Sequence, residues 1–145
     1  MARILGAGFP AGPNVVLTVR GRTTGMPRTF PIAMLDWRGR RFVQASFGEV
    51  AWVGNLRAAG SATVRQGGRS TTFRVVELPS ADAASVMRDC LAHYHRMAGL
   101  GRLIGPEIRP PVAVLHYFHL RIDASMDDYV AEARRHPLFE LLPVA

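Results

Sequence analysis

Gly21-Arg22-Thr23-Thr24-Gly25-Met26-Pro27-Arg28 gathers two guanidiniums, two hydroxyls and glycine-freed backbone N–H groups between two apolar runs. Guanidiniums grip oxyanions through paired N–H donors, and the amides of a tight turn add a concave set of partial positive charges. The turn is therefore a candidate cradle for a phosphate or carboxylate. A second constellation follows, from Gln44-Ala45-Ser46-Phe47-Gly48 to Ala51-Trp52-Val53-Gly54-Asn55. It reads as a strand end, a glycine-containing loop and a helix start, with Trp52 and Asn55 one turn apart. Backbone amides at such a place can hold the polar edge of a planar heterocycle, and Trp52 can wall it. Equally, Trp52 can be a core anchor and Asn55 a loop brace. The residues alone do not choose.

Other motifs carry less. Gly6-Ala7-Gly8-Phe9-Pro10-Ala11 fits the spacing of a dinucleotide fingerprint, but Pro10 and Pro13 stop the helix that must follow, and no acid stands where a ribose would need one. Cys90 and His93 lie one helical turn apart, yet Cys90 falls on an apolar stripe and reads as a packed core thiol. His116 lies on the apolar face of its strand and reads as a core histidine. No serine-hydrolase elbow, zincin helix or Walker A run occurs.

Positioning these residues falls to short strands. Asn14 to Gly21, Arg28 to Asp36, Arg41 to Ser46, Ser61 to Gln66 and Ser70 to Glu77 are rich in β-branched and aromatic residues and bounded by turn formers. Arg38-Gly39-Arg40 and Gln66-Gly67-Gly68-Arg69 predict hairpins. Pro31 demotes its strand to an edge or a bulge. A short helix is expected from Val50 to Ala59, closed by Gly60, and a second after Ser80, with Ala83, Val86, Met87, Cys90, Leu91 and Tyr94 on its buried face. Pro111 to Ile122 alternates as the longest strand, and Ser125 to Arg135 as a helix with acids first and arginines last. Hairpin-linked strands without βαβ alternation predict an α+β, mainly β domain: about six antiparallel strands closing into a small barrel, covered by about three helices.

Composition bounds the rest. At 145 residues, with 48% hydrophobic and 20% charged residues, the chain is one globular domain, residues 1–145. All 18 basic side chains are arginine; residues 1–80 hold 11 of them against three acids, so the positive field lies beside the turn. The arginines are scattered over strands and hairpins, so nucleic acid is not an expected partner. No apolar run is long enough to span a bilayer, the N-terminus is a poor signal peptide, and a single Cys90 cannot form an internal disulfide. A cytoplasmic protein is expected.

Taken in order, G-R-x-[ST]-G-x-x-R at Gly21 to Arg28, a strand with Pro31, A-S-x-G at Ala45 to Gly48 and W-x-x-N-L at Trp52 to Leu56 resemble the deazaflavin-dependent nitroreductase family of split β-barrels. The similarity runs from about Val15 to Ile122. It implies coenzyme F420 as cofactor, with FMN, used by related branches, as the alternative. By that resemblance Arg22, Thr23, Thr24, Gly25 and Arg28 would contact the anionic tail. Pro31, Gln44, Ala45, Ser46, Phe47, Ala51, Trp52 and Asn55 would line the ring and linker. Thr23 and Phe47 stand where many members carry lysine. The implied reaction is hydride transfer to a small-molecule acceptor such as a quinone, enone or nitroaromatic. No catalytic side chain is assigned, although Tyr94 and Tyr117 are candidate proton donors. Split barrels often pair, so a homodimer is possible, with Tyr117 and His119 at the contact. A non-catalytic carrier of a flavin or tetrapyrrole is the other reading.

Overall fold

Alternation within Asn14–Arg20 (β1) buries Val15, Leu17 and Val19 on one face and leaves Arg20 exposed on the other. This is the two-residue period of a strand lining a core. The computed structural model describes residues 14–45, 48–104 and 124–144. After β1 come Pro27–Ala33 (β2), Leu35–Trp37 (β3), Arg40–Gln44 (β4), helix Ala51–Ala59 (α1), Ser61–Gln66 (β5), Arg69–Glu77 (β6), helix Ser80–Ile104 (α2), helix Met126–Arg135 (α3) and Leu138–Pro143 (β7).

The seven described strands form one antiparallel sheet in the order β2-β1-β5-β6-β7-β4-β3. Chain connectivity forces it to curl. β2 and β3 stand at opposite edges, yet only Met34 separates them. A flat sheet of that width would hold them roughly 29 Å apart, which a single intervening residue cannot bridge. The edges are therefore drawn together into a barrel, open where β2 and β3 diverge. The expected mainly-β split barrel is the observed fold.

Two cores fill it. The interior holds Val15, Leu17, Val19, Val43, Ala45, Val64, Phe73, Phe139 and Leu141, with Val53 and Leu56 of α1 plugged into it. On the outer face of β4 and β7, Phe42 and Leu138 meet Ala83, Ala84, Val86 and Met87 of α2 and Tyr129 and Ala133 of α3. α3 starts with a capping box: Ser125 Oγ accepts from Asp128 N (3.2 Å) and Asp128 Oδ2 from Ser125 N (3.3 Å). Both hairpin turns take positive φ, at Arg38 and Gly39 and at Gly67 and Gly68, as two-residue turns between twisted strands require.

Three expectations need correction. The single strand Arg28 to Asp36 is two strands, because Met34 turns inward (4% exposed) where the chain passes from one sheet edge to the other. Leu138–Pro143 is a strand the alternation did not reveal, which brings the described strands to seven; both its faces are buried, so no polar period marks it. The helix after Ser80 runs on to Ile104. Among the described residues Pro31 lies on an edge strand, where it pairs with Val16. Pro111 to Ile122 (with His116, Tyr117 and His119), the Gly6 to Ala11 motif and the side chains of Leu91 and Tyr94 lie outside the described residues.

Cys90 is 7% exposed in α2, and burial pushes its thiol up to about 12. At pH 8 only about one molecule in ten thousand then carries a thiolate. A thiol-specific chromogenic reagent is expected to leave the native protein unlabelled over minutes and to titrate one thiol in guanidinium chloride; rapid native labelling would contradict the packing described.

Candidate functional site

The hairpin joining β1 to β2 closes on itself. Gly21 N donates to Met26 O (2.8 Å), Gly25 N to Gly21 O (2.9 Å), and Met26 N to Thr24 Oγ1 (3.2 Å). Gly21 permits that closure, since a β-carbon there would stand 3.0 Å from the Met26 carbonyl oxygen and 3.1 Å from Thr24 Oγ1. Arginines surround the turn. The guanidinium of Arg20 lies beside Gly25, and that of Arg28 beside Gly21. Arg20, Arg22 and Arg28 are all exposed, and among the described residues none of the three is in an ion pair. Their charge is available to a ligand.

Arg22 brings the two constellations together. Its Nη1 donates to Ala51 O (2.9 Å) and to Asn55 Oδ1 (2.8 Å), and its backbone N donates to the same Asn55 oxygen (3.1 Å). The guanidinium thus lies flat on the first turn of α1. Its Nη1 hydrogens are committed to the helix, while the Nε and Nη2 edge, the side-on fork that suits two oxygens of one anion, is left over. Gly54 makes the approach possible: a β-carbon at 54 would stand 2.8 Å from Nη1 and 2.9 Å from Cζ. A glycine inside a helix costs roughly 1 kcal/mol against alanine, and close packing of Arg22 is the reason for one here.

The helix start also forms an aromatic wall. Trp52 is half-buried, with its ring 5.4 Å from that of Phe30 on β2 and 6.1 Å from that of Phe139 in the barrel core. Trp52 is thereby anchored to the core on one side, and the apolar surface beside it adjoins the arginine turn through Arg22. Arg57, on the same helix, takes Glu49 and Glu77 as bidentate partners at 2.7–2.9 Å, fixing the approach to α1. The hydrogen bonds it donates to Glu77, and then those to Glu49, raise its already high pKa.

Of the expected residues, Arg22, Ala51, Trp52 and Asn55 form one cluster, and Thr23, Thr24, Gly25 and Arg28 sit on the exposed turn beside it. Asn55 is 8% exposed, and its Oδ1 is spent on Arg22. It braces the junction. Ala45 has its side chain in the core, its N–H on Pro137 O and its carbonyl on Gly48 N, so its polar groups shape the loop. Gln44 Nε2 donates to His136 O (3.2 Å). Ser46 and Phe47 lie outside the described residues. Sequence reasoning passed over Arg20; its place next to a basic turn was the available signal.

A family model described as F420H(2)-dependent quinone reductase matches residues 2–102. The chain belongs to that family. The protein is thus a deazaflavin-dependent reductase, and its cofactor is coenzyme F420. No curated protein matches the chain. Among solved structures it is similar to one described as a domain-swapped dimer (20% identity over 96% of this chain and 91% of that one, TM-score 0.49). It is also similar to an F420-H2 dependent reductase, FDR-A (19%, 89% and 93%, TM-score 0.46), and to an FAD-binding protein from Mesorhizobium loti (14%, 100% and 91%, TM-score 0.48). These likenesses are too distant to bear on function. The donor set itself suits a tailed, anionic, planar group: three guanidiniums that form no ion pair among the described residues, beside an aromatic wall.

No helix among the described residues is long and apolar enough to cross a membrane.

Proposed function

We propose that this reductase passes a hydride from reduced F420 to a quinone, enone or nitroaromatic acceptor, the quinone being the acceptor in the family's name. When bound, F420H2 supplies a hydride and, overall, one proton, so that a quinone leaves as the hydroquinone. The protein binds, orients and excludes water. Arg22, Thr23, Thr24, Gly25 and Arg28 hold the anionic tail, while Pro31, Gln44, Ala51 and Trp52 flank the ring and linker, with Ala45 and Asn55 bracing that wall from behind. The observation that carries this reading is the Arg22 clasp, because it makes the anion turn and the tryptophan-bearing helix one surface. A cytoplasmic location goes with it, as does a small-molecule acceptor; a homodimer is compatible, and size-exclusion chromatography with light scattering would establish it.

The test is a fluorescence titration of F420 into the protein, followed by steady-state reduction of menadione by F420H2. Micromolar binding and turnover are expected. Arg28→Ala should weaken binding by roughly 1.5–3 kcal/mol, as loss of a charge-assisted hydrogen bond does. Absence of binding by the unaltered protein would sink the proposal, and unchanged affinity in Arg28→Ala would remove the turn from it.

A further inference from the structure

The register of the β1–β2 ribbon divides the arginines at its turn between two faces. Residues directly opposite one another in a sheet share a face, and neighbours along a strand take opposite ones. Val19 stands opposite Arg28, and Arg20 opposite Pro27. Val19 belongs to the barrel interior, so Arg28 lies on the inner face of the ribbon and Arg20 on the outer. The turn repeats the division: a β-carbon at Gly21 would stand 3.6 Å from Arg28 Nε, and one at Gly25 3.5 Å from Arg20 Nη2. With Arg22 laid on α1, two guanidiniums serve the inner side and Arg20 serves the outer. The ribbon stands between Arg28 and Arg20, so one phosphate cannot bridge them.

Arg20 is not alone outside. Thr18 pairs with Thr29 on one side and Thr63 on the other, and Thr63 pairs with Thr72, so a row of threonines crosses the outer face of β2, β1, β5 and β6. Their hydroxyls bond in pairs, Thr18 with Thr29 at 2.9 Å and Thr63 with Thr72 at 3.3 Å. In the next row toward the turn Ser61 stands opposite Arg74, and two further steps of the β1–β5 register set Arg20 level with Ser61. Arg74 therefore lies two strands from Arg20, about 10 Å at the usual strand spacing. Both side chains are exposed, and among the described residues neither is in an ion pair. On these strands the two rows hold no carboxylate. Glu140, on the neighbouring β7, is taken by Arg40.

F420 carries a phosphate followed by a run of glutamates, a chain of separate anions. Arg22 and Arg28 suit the phosphate, because the remaining Nε and Nη2 edge of Arg22 is a fork for two oxygens of one group. A chain leaving that phosphate over the hairpin tip meets Arg20 first and Arg74 next. At roughly 3.5 Å per extended residue, about three glutamates cover the interval between them.

We infer that the outer face of β1, β5 and β6 is a second cofactor subsite, where Arg20 and then Arg74 take glutamate carboxylates of the F420 tail, so that the enzyme discriminates cofactors by tail length. This rests on the proposed seat of the phosphate at the turn. Exposed ion pairs are individually weak, so the gain accumulates over several contacts and falls with salt.

Fluorescence titrations decide it, with the deazaflavin alcohol that lacks phosphate and tail, F420 with a single glutamate, and F420 with a long glutamate tail as probes. The unmodified protein should bind the long-tailed form about threefold or more tighter than the single-glutamate form at low salt, and lose that preference at about 0.5 M sodium chloride. Arg74→Gln should abolish the preference. Arg20→Gln should abolish it and also weaken the single-glutamate form by about threefold. Affinity for the alcohol should stay within about twofold in both variants, as for exposed substitutions that leave the fold intact. A preference missing from the unmodified protein, kept by both variants, or lost together with affinity for the alcohol overturns the inference. Failure of the unmodified protein to bind any of the probes removes the proposed function and this subsite with it, whereas equal binding of both F420 forms removes the outer subsite alone.

Discussion

Arg22→Ala is expected to weaken F420 binding by roughly 1.5–3 kcal/mol, the worth of the lost charge-assisted bond to the tail, and to cost the fold about 1 kcal/mol for each of the bonds from Nη1 to Ala51 O and Asn55 Oδ1. Without them the hydrogen bond left between the turn and α1 among the described residues is that from the backbone N–H of residue 22 to Asn55. Gly54→Ala separates the clasp from the charge. The new methyl group would occupy the space of the guanidinium, which must swing off the helix although nothing ionic has been removed. Alanine is also the better helix former by roughly 1 kcal/mol, which offsets part of the lost clasp, so thermal stability should fall only slightly while binding falls about tenfold or more. Fluorescence titration and thermal melts on the two variants provide the check. Gly54→Ala protein that binds F420 like the original would show that the Arg22 position on α1 is irrelevant to the ligand.

How much of this was legible beforehand follows from the range over which each signal acts. The arginine turn is local: glycines, hydroxyls and guanidiniums within eight residues define its chemistry. Its union with α1 is not local, because Arg22 and Asn55 are 33 residues apart, and asparagine on a helix reads equally as ligand or brace. Gly54 was the overlooked clue, a poor helix former retained where only a flat cation above it explains the choice. β7 was invisible for a different reason. Leu138 enters one core and Phe139 the other, so alternation of direction leaves no alternation of polarity. The break at Met34 was hidden likewise within a continuous apolar run. Glu132 resembles a solvated helical acid beside Arg134 and Arg135, and only the close of α3 against Ala45 turns it into a buried partner of His136.

Packing, more than ion pairing, should dominate the stability of the outer core. Phe42 is fully buried, faces Glu140 across the β4–β7 ladder and lies among α2 and α3 residues. Phe42→Ala should therefore destabilise the fold by about 3–5 kcal/mol, combining lost apolar transfer with the cavity left behind. Arg40 stacks over that ring at 4.9 Å and makes a bidentate pair with Glu140 at 2.8 Å. That bond holds the Glu140 carboxyl below the usual carboxylate range. Yet Arg40 is largely in water, its side chain 46% exposed, and Arg40→Ala should cost at most about 1 kcal/mol. Urea unfolding of both variants gives the comparison. If Arg40→Ala proved as costly as Phe42→Ala, the helices would owe their seat on the barrel to the ion pair and cation–π stack. The expected disparity instead makes the Phe42 contact the one that holds α3, and with it His136, against the loop at Ala45.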